Sequence, residues 1–206
     1  MNVNRASAGT STSPVSVDLC ILSRPEDSIE EIINKASPYV NHILTNTDPV
    51  ENFALAKNQL QAHSQADYVL WWDSDEDYPL EFLERMKAII QQRPSLCYRF
   101  PRINLPTRQN YPDYQVRLFK PSLCHWERGI HEILMYDEHP ADQIECRTLD
   151  EYPITHKALS LHTFLQRFRW HAHLYVKAQF PVEHLIREVD EMVDQAKQRF
   201  KDEQPS

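Results

Sequence analysis

Between Val15 and Ile90 the chain alternates repeatedly between an apolar, β-rich run and a stretch with helical spacing, and no other feature limits its fold so strongly. Val15 to Ser23 (VSVDLCILS) reads as a buried strand bounded by Pro14 and by Arg24-Pro25. Ile29, Ile32, Ile33 and Ala36 then recur at helical spacing until Pro38, with Asp27 or Ser28 placed to cap that helix. Tyr39 to Thr45 makes a second strand, and the polar turn Asn46-Thr47-Asp48-Pro49 leads into a helix whose inner face carries Val50, Phe53, Ala54 and Leu60. A third strand spans Asp67 to Trp72, and after Pro79 a helix presents Leu80, Leu83, Met86, Ile89 and Ile90 on one side. Such alternation predicts an α/β fold, a mostly parallel sheet flanked by helices. Further strands are expected at Leu96–Arg102, Tyr114–Phe119 and Ile130–Tyr136.

The length of 206 residues suits one main domain. Residues 1–14 are Ser/Thr/Asn-rich and read as a disordered tail, residues 15–140 as the α/β body, and residues 141–206 as a C-terminal helical segment. In that segment Leu159, Leu161, Leu165, Phe168, Ala172 and Tyr175 suggest one helix, and the apolar stripe from Val182 to Phe200 a second, both packed on the body. With 41% hydrophobic and 25% charged residues the chain is too apolar to stay unfolded. Only two glycines occur, Gly9 and Gly129, which excludes the Gly-rich phosphate loops of P-loop and dinucleotide-binding proteins. The net charge of −8 speaks against nucleic acid or anionic lipid as a nonspecific partner. Cys20, Cys97, Cys124 and Cys146 show no paired spacing, as expected of reduced thiols. No run approaches the roughly 18 apolar residues of a transmembrane segment, so a cytoplasmic protein is expected.

The stretch YVLWWDSDEDYP carries the most chemistry. An apolar strand delivers Asp73 and Asp75 with one residue between them, which puts both carboxylates on one side of the chain. They lie at the carboxyl end of a strand, where open α/β sheets bind ligands. Such a pair suits Mn²⁺ or Mg²⁺, hard cations that take one or two protein carboxylates and share the rest of their shell with water and phosphate. The plainer alternative is an acidic turn that complements the dipole of the helix after Pro79.

Four blocks in order, NFALAKNQ, ADYVLWWDSDE, PDYQVRLFKP and WERGIHEIL, resemble the successive motifs of family 2 glycosyltransferases with the GT-A fold, over roughly Val17 to Leu134. The resemblance implies a metal-dependent transferase that moves a sugar, a hexose or a relative of one, from a nucleoside diphosphate donor to an acceptor hydroxyl, usually with inversion. UDP-sugar is the first donor expected and GDP-sugar the second. By motif, Asp73 faces the donor ribose or sugar and shares the metal with Asp75, and Glu76 orients the loop. His131 completes the metal shell, and Asp48, Asn58 and Arg117 contact the donor. Glu132 is the implied base for the acceptor proton, with Asp113 as the alternative. His156 and His162 are further candidates for the donor side. The chain departs from the family pattern at Lys57, which stands where an Arg is usual, and in a shortened nucleotide half.

Each assignment has a structural counterpart. Arg117 serves equally as a salt-bridge partner, and Trp126 as a core residue instead of a sugar platform. A catalytically silent GT-A-like module that binds a glycan or protein keeps the same scaffold, and a carboxylate-metal phosphotransferase or hydrolase needs an additional acidic set that the sequence lacks.

Overall fold

The computed structural model of the protein describes residues 14–157 except 26, 106–111 and 130, together with a few helical positions between 172 and 193. In chain order the elements are β1 (Val17–Leu22), α1 (Glu30–Ala36), β2 (Ile43–Asn46), α2 (Phe53–Gln61), β3 (Tyr68–Trp71), β4 (Glu76–Asp77), α3 (Leu80–Gln92), β5 (Cys97–Asn104), β6 (Asp113–Phe119), β7 (Cys124–Glu127), β8 (Ile133–Tyr136), β9 (His139–Pro140), α4 (Ala141–Ile144), β10 (Cys146–Thr148) and β11 (Ile154–His156).

The main sheet runs β2-β1-β3-β6-β5-β11-β4, with β10 also beside β5. The pairs β1–β2, β1–β3, β5–β10 and β5–β11 are parallel, as the alternation predicts. By contrast β6 lies antiparallel between β3 and β5, because the short link from β5 to β6 cannot make the crossover that a parallel pair requires. Both faces of the first three strands are covered. Val17, Leu19, Ile21, Tyr68, Leu70 and Trp72 join one core with α1 and α3, while Cys20, Val69 and Trp71 join a second with α2 and β7. This period of two explains why adjacent tryptophans are both fully buried: Trp71 and Trp72 fill opposite faces.

Several local expectations change. The cap of α1 is Ile29, with no side-chain bond, because Asp27 is engaged by Arg24 and Ser74 and Ser28 bonds Glu30. The helix after Pro79 buries Phe82 and leaves Leu80 about half exposed. A strand not anticipated, β7, pairs with β8 and β9 in a separate three-stranded sheet. The main sheet also continues past residue 140, since β10 and β11 both pair with β5. The expected C-terminal helices fall almost wholly outside the described residues. Among the described residues no helix is long and apolar enough to cross a membrane.

Candidate functional site

The order β2-β1-β3 means that the connection from β1 to β2 runs one way along the sheet and the connection from β2 to β3 crosses back over β1, and the carboxyl ends of these strands open at that reversal. Three loops meet there. The loop after β1 is tied to the turn after β2 by Ser23 N–H donating to the Asn46 carbonyl, 3.0 Å. Ser74 Oγ donates to Asp27 Oδ2, 2.8 Å, tying the acidic loop after β3 to the loop after β1. From the other side β11 straps the acidic loop down: β4 pairs antiparallel with it, and Lys157 N–H donates to the Asp75 carbonyl, 2.7 Å.

The acidic residues do not cap α3, whose first turn starts at Pro79 without a side-chain cap. Each has its own partner. Arg117, on β6, is buried and grips the fully buried Glu76 with both prongs of its fork, Nε to Oε2 at 2.9 Å and Nη2 to Oε1 at 2.7 Å. The same Nη2 donates to Asp73 Oδ2, 2.7 Å. Burial opposes ionisation of Asp73, but Arg117 and then Lys57 outweigh it and hold the carboxyl below its ordinary value of 3.8. For Arg117, burial likewise works against the charged form, and Asp73 and Glu76 more than restore it. Asp75 Oδ2 lies 3.0 Å from His156 Nε2 on β11. Asp77 takes Lys35 of α1, 2.8 Å.

The network extends along the sheet. Arg102 on β5 reaches Glu76 Oε1 at 3.5 Å and holds Asp113 Oδ2 through Nε and Nη2 at 2.8 and 2.5 Å. Gln115 donates to the other Asp113 oxygen, 2.8 Å. Burial raises the Asp113 pKa, yet Arg102 leads the partners that bring it below the usual value. With both oxygens engaged, Asp113 is poorly placed to accept a proton from an incoming hydroxyl.

On the opposite wall Lys57 of α2 is buried, 5.2 Å from the Trp71 ring centre and 4.5 Å from that of Trp126, and its ammonium lies 3.5 Å from Glu132 Oε1. Glu132 therefore sits beside a cation and stays mostly enclosed. Asn58, expected as a donor contact, turns both ends of its amide to the Trp126 backbone, donating to its carbonyl at 2.8 Å and accepting from its N–H at 2.7 Å. That pair docks α2 on β7. Trp126 packs edge-on against Trp71 and Phe119, a core role and not an exposed platform. Asp48 is exposed in the turn after β2, its N–H bonded to Asn46 Oδ1 at 2.7 Å.

His131 is exposed between β7 and β8, in the left-handed region at φ 54°, as is Arg128 at φ 68°. It does not gather with Asp73 and Asp75 into a metal cage: among the described residues no three His, Cys, Asp or Glu side chains form a group that could hold a metal ion. The histidine found on Asp75 is His156; His162 lies outside the described residues. Sequence reasoning missed Arg102 and the pairing of Lys57 with Glu132. Arg102 follows three residues after Arg99 in an otherwise apolar strand, a weak signal that became meaningful only once β5 and β6 were in register.

The family model described as Glycosyl transferase family 2 matches residues 19–149. Among solved structures the chain is similar to S. aureus TarS 1-349 in complex with UDP-GlcNAc, with TM-score 0.46, 11% identity and coverage of 87% of this chain and 72% of that one. It is also similar to S. aureus TarS (TM-score 0.46, 12% identity, 87% and 43% covered) and to S. aureus TarS 1-349 in complex with UDP (TM-score 0.45, 12% identity, 86% and 70% covered). No curated protein matches the chain.

Proposed function

The chain belongs to glycosyl transferase family 2, and from that premise we propose that it transfers a sugar from a nucleoside diphosphate donor to an acceptor hydroxyl, with inversion, at the carboxyl ends of β1, β2 and β3. The observation that carries this reading is the placement of Asp73 and Asp75 together at the end of β3, neither of them used as a helix cap. Two carboxylates with oxygen donors fit a hard divalent cation, which needs only one or two from the protein. Asp73 and Asp75 would hold Mn²⁺ or Mg²⁺, with His156 beside Asp75; when bound, the cation stabilises the charge gathering on the departing diphosphate.

The chain's own residues do the remaining work. Arg117 fixes Asp73 in place and keeps it ionised, and Asp48 in the neighbouring turn faces the donor. Glu132 takes the proton from the acceptor hydroxyl as its oxygen forms a bond to the anomeric carbon and the bond to the diphosphate breaks. Glu132 suits this better than Asp113, because it faces the Lys57 ammonium at 3.5 Å whereas Asp113 is held at both oxygens. UDP is the first nucleotide to test and GDP the second. Calorimetry should show either binding more tightly with Mn²⁺ than with chelator, and Asp75→Asn should remove that difference. Equal affinity with and without cation in the wild type would overturn the metal reading, and no transfer to any acceptor would favour a silent binding module.

A further inference from the structure

Two of the four cysteines meet in the fold although they lie far apart in the chain. In the parallel pair of β5 and β10, Cys97 and Cys146 occupy the same register position, so their side chains leave the sheet on the same face. Neighbouring strands lie about 4.8 Å apart, within the roughly 4.4–6.8 Å between Cα atoms that a disulfide spans. The Cys97 thiol donates to the Glu145 carbonyl at 3.6 Å, the peptide group that leads directly into Cys146. Cys97 is buried and Cys146 is half-buried, which gives one thiol access to a small reagent.

We propose that Cys97 and Cys146 form a reversible dithiol–disulfide site, open to peroxides, that fastens β10 to β5 and so tethers the segment leading to His156. Their chemistry differs from that of the other thiols. The neighbouring Cys97 thiol, and then the Arg99 cation, bring the Cys146 thiol below its ordinary value against the effect of burial and Asp142. Burial instead pushes Cys20 and Cys124 up to about 12. Cys146 is therefore the thiolate that reacts first. Its sulfur attacks one peroxide oxygen, the O–O bond breaks, and a sulfenic acid and water result. Cys97 sulfur then attacks the sulfenic sulfur, the S–O bond breaks, and the hydroxyl leaves with the Cys97 proton as a second water. Two thiols and one peroxide give one disulfide and two waters.

The bond matters because of where β10 leads. The chain runs from β10 to β11, which pairs with the same strand β5 and carries His156 to Asp75. A crosslink at the start of this segment limits how far it can leave the sheet. The test uses the whole reduced protein exposed to hydrogen peroxide, followed by thiol counting, a non-reducing peptide map and hydrogen exchange. The expected result is loss of two thiols of four, a Cys97–Cys146 crosslinked peptide that dithiothreitol reverses, and slower exchange across 146–156. Cys97→Ser should leave Cys146 as a sulfenic acid that a dimedone reagent traps. Retention of all four thiols, a crosslink through Cys124 or between two molecules, or unchanged exchange in the crosslinked protein would overturn the proposal. The wild-type map decides the matter even if the serine variant does not fold.

Discussion

Replacing Arg117 by Met tests whether the charges beneath the acidic loop form one unit. The guanidinium makes three charge-assisted bonds, two to Glu76 and one to Asp73, and Glu76 is fully buried. Without it Glu76 keeps, among the described residues, only the Arg102 contact at 3.5 Å, so a buried carboxylate loses most of its compensation. Removing one partner from a buried ion pair costs about 3–5 kcal/mol. Asp73 is nearly a third exposed and water can take up part of its loss, so the lower part of that range applies, about 3 kcal/mol. For a domain of this size that lowers the melting temperature by roughly 6–12 °C. Urea denaturation of Arg117→Met, Glu76→Gln and the double variant closes a cycle, and the double variant should recover a large share because no unpaired buried charge remains. A loss under about 1 kcal/mol in Arg117→Met would refute the reasoning, as would a strictly additive double variant.

Acid stability follows from the depressed carboxyls. Asp27, Asp73 and Asp113 all titrate below 3.8 in the folded chain, so each contributes stability that is present above that value and lost as the pH falls through the folded pKa. Near-UV circular dichroism should therefore show stability falling below about pH 4, and Arg102→Gln should flatten the fall by removing the main partner of Asp113. Asn58→Ala should leave the Trp126 N–H and carbonyl without their amide partner and lower the urea midpoint by an amount equivalent to about 1–3 kcal/mol. Glu132→Gln should leave nucleotide affinity intact and slow transfer by about 10²–10⁴-fold, and a wild-type rate in that variant would move the base elsewhere.

The parts of the fold that were legible in the sequence are those set by short-range periodicity. β1, α2, β3, α3, β5 and β6 all follow from apolar spacing within a dozen residues, and the acidic loop follows from the abrupt end of one apolar strand. What was not legible depends on register between distant segments. Glu76 and Arg117 meet only because β6 inserts antiparallel beside β3, and nothing local in either segment announces that insertion. β7 shows the opposite difficulty. Its Cys124 and Trp126 alternate inward as a strand should, but four residues containing His125 and Glu127 are too few to outweigh their polarity. The helix cap at α1 failed for a third reason: Asp27 had a stronger local use, an ion pair to Arg24 at 2.7 Å and a bond from Ser74 across the crevice.

The register that hid the ion network also leaves Asp73, though gripped by an arginine, able to take part in the proposed cation site. Arg117 occupies only one of its oxygens, with the other prong of the fork committed to Glu76. Counted together, Asp73, Asp75, Glu76, Asp113 and Glu132 supply five carboxylates, and Arg102, Arg117 and Lys57 supply three cations. Two negative formal charges are left over if His156 is neutral, the complement of one divalent ion. Glu76 and Asp113 are held by arginines below the loop, Glu132 faces Lys57, and Asp75 faces the imidazole of His156 at 3.0 Å. That negative surplus is what the proposed divalent cation would neutralise, and Arg117 and Arg102 hold Asp73 and Asp113 below their ordinary value, so that both stay ionised and contribute to it.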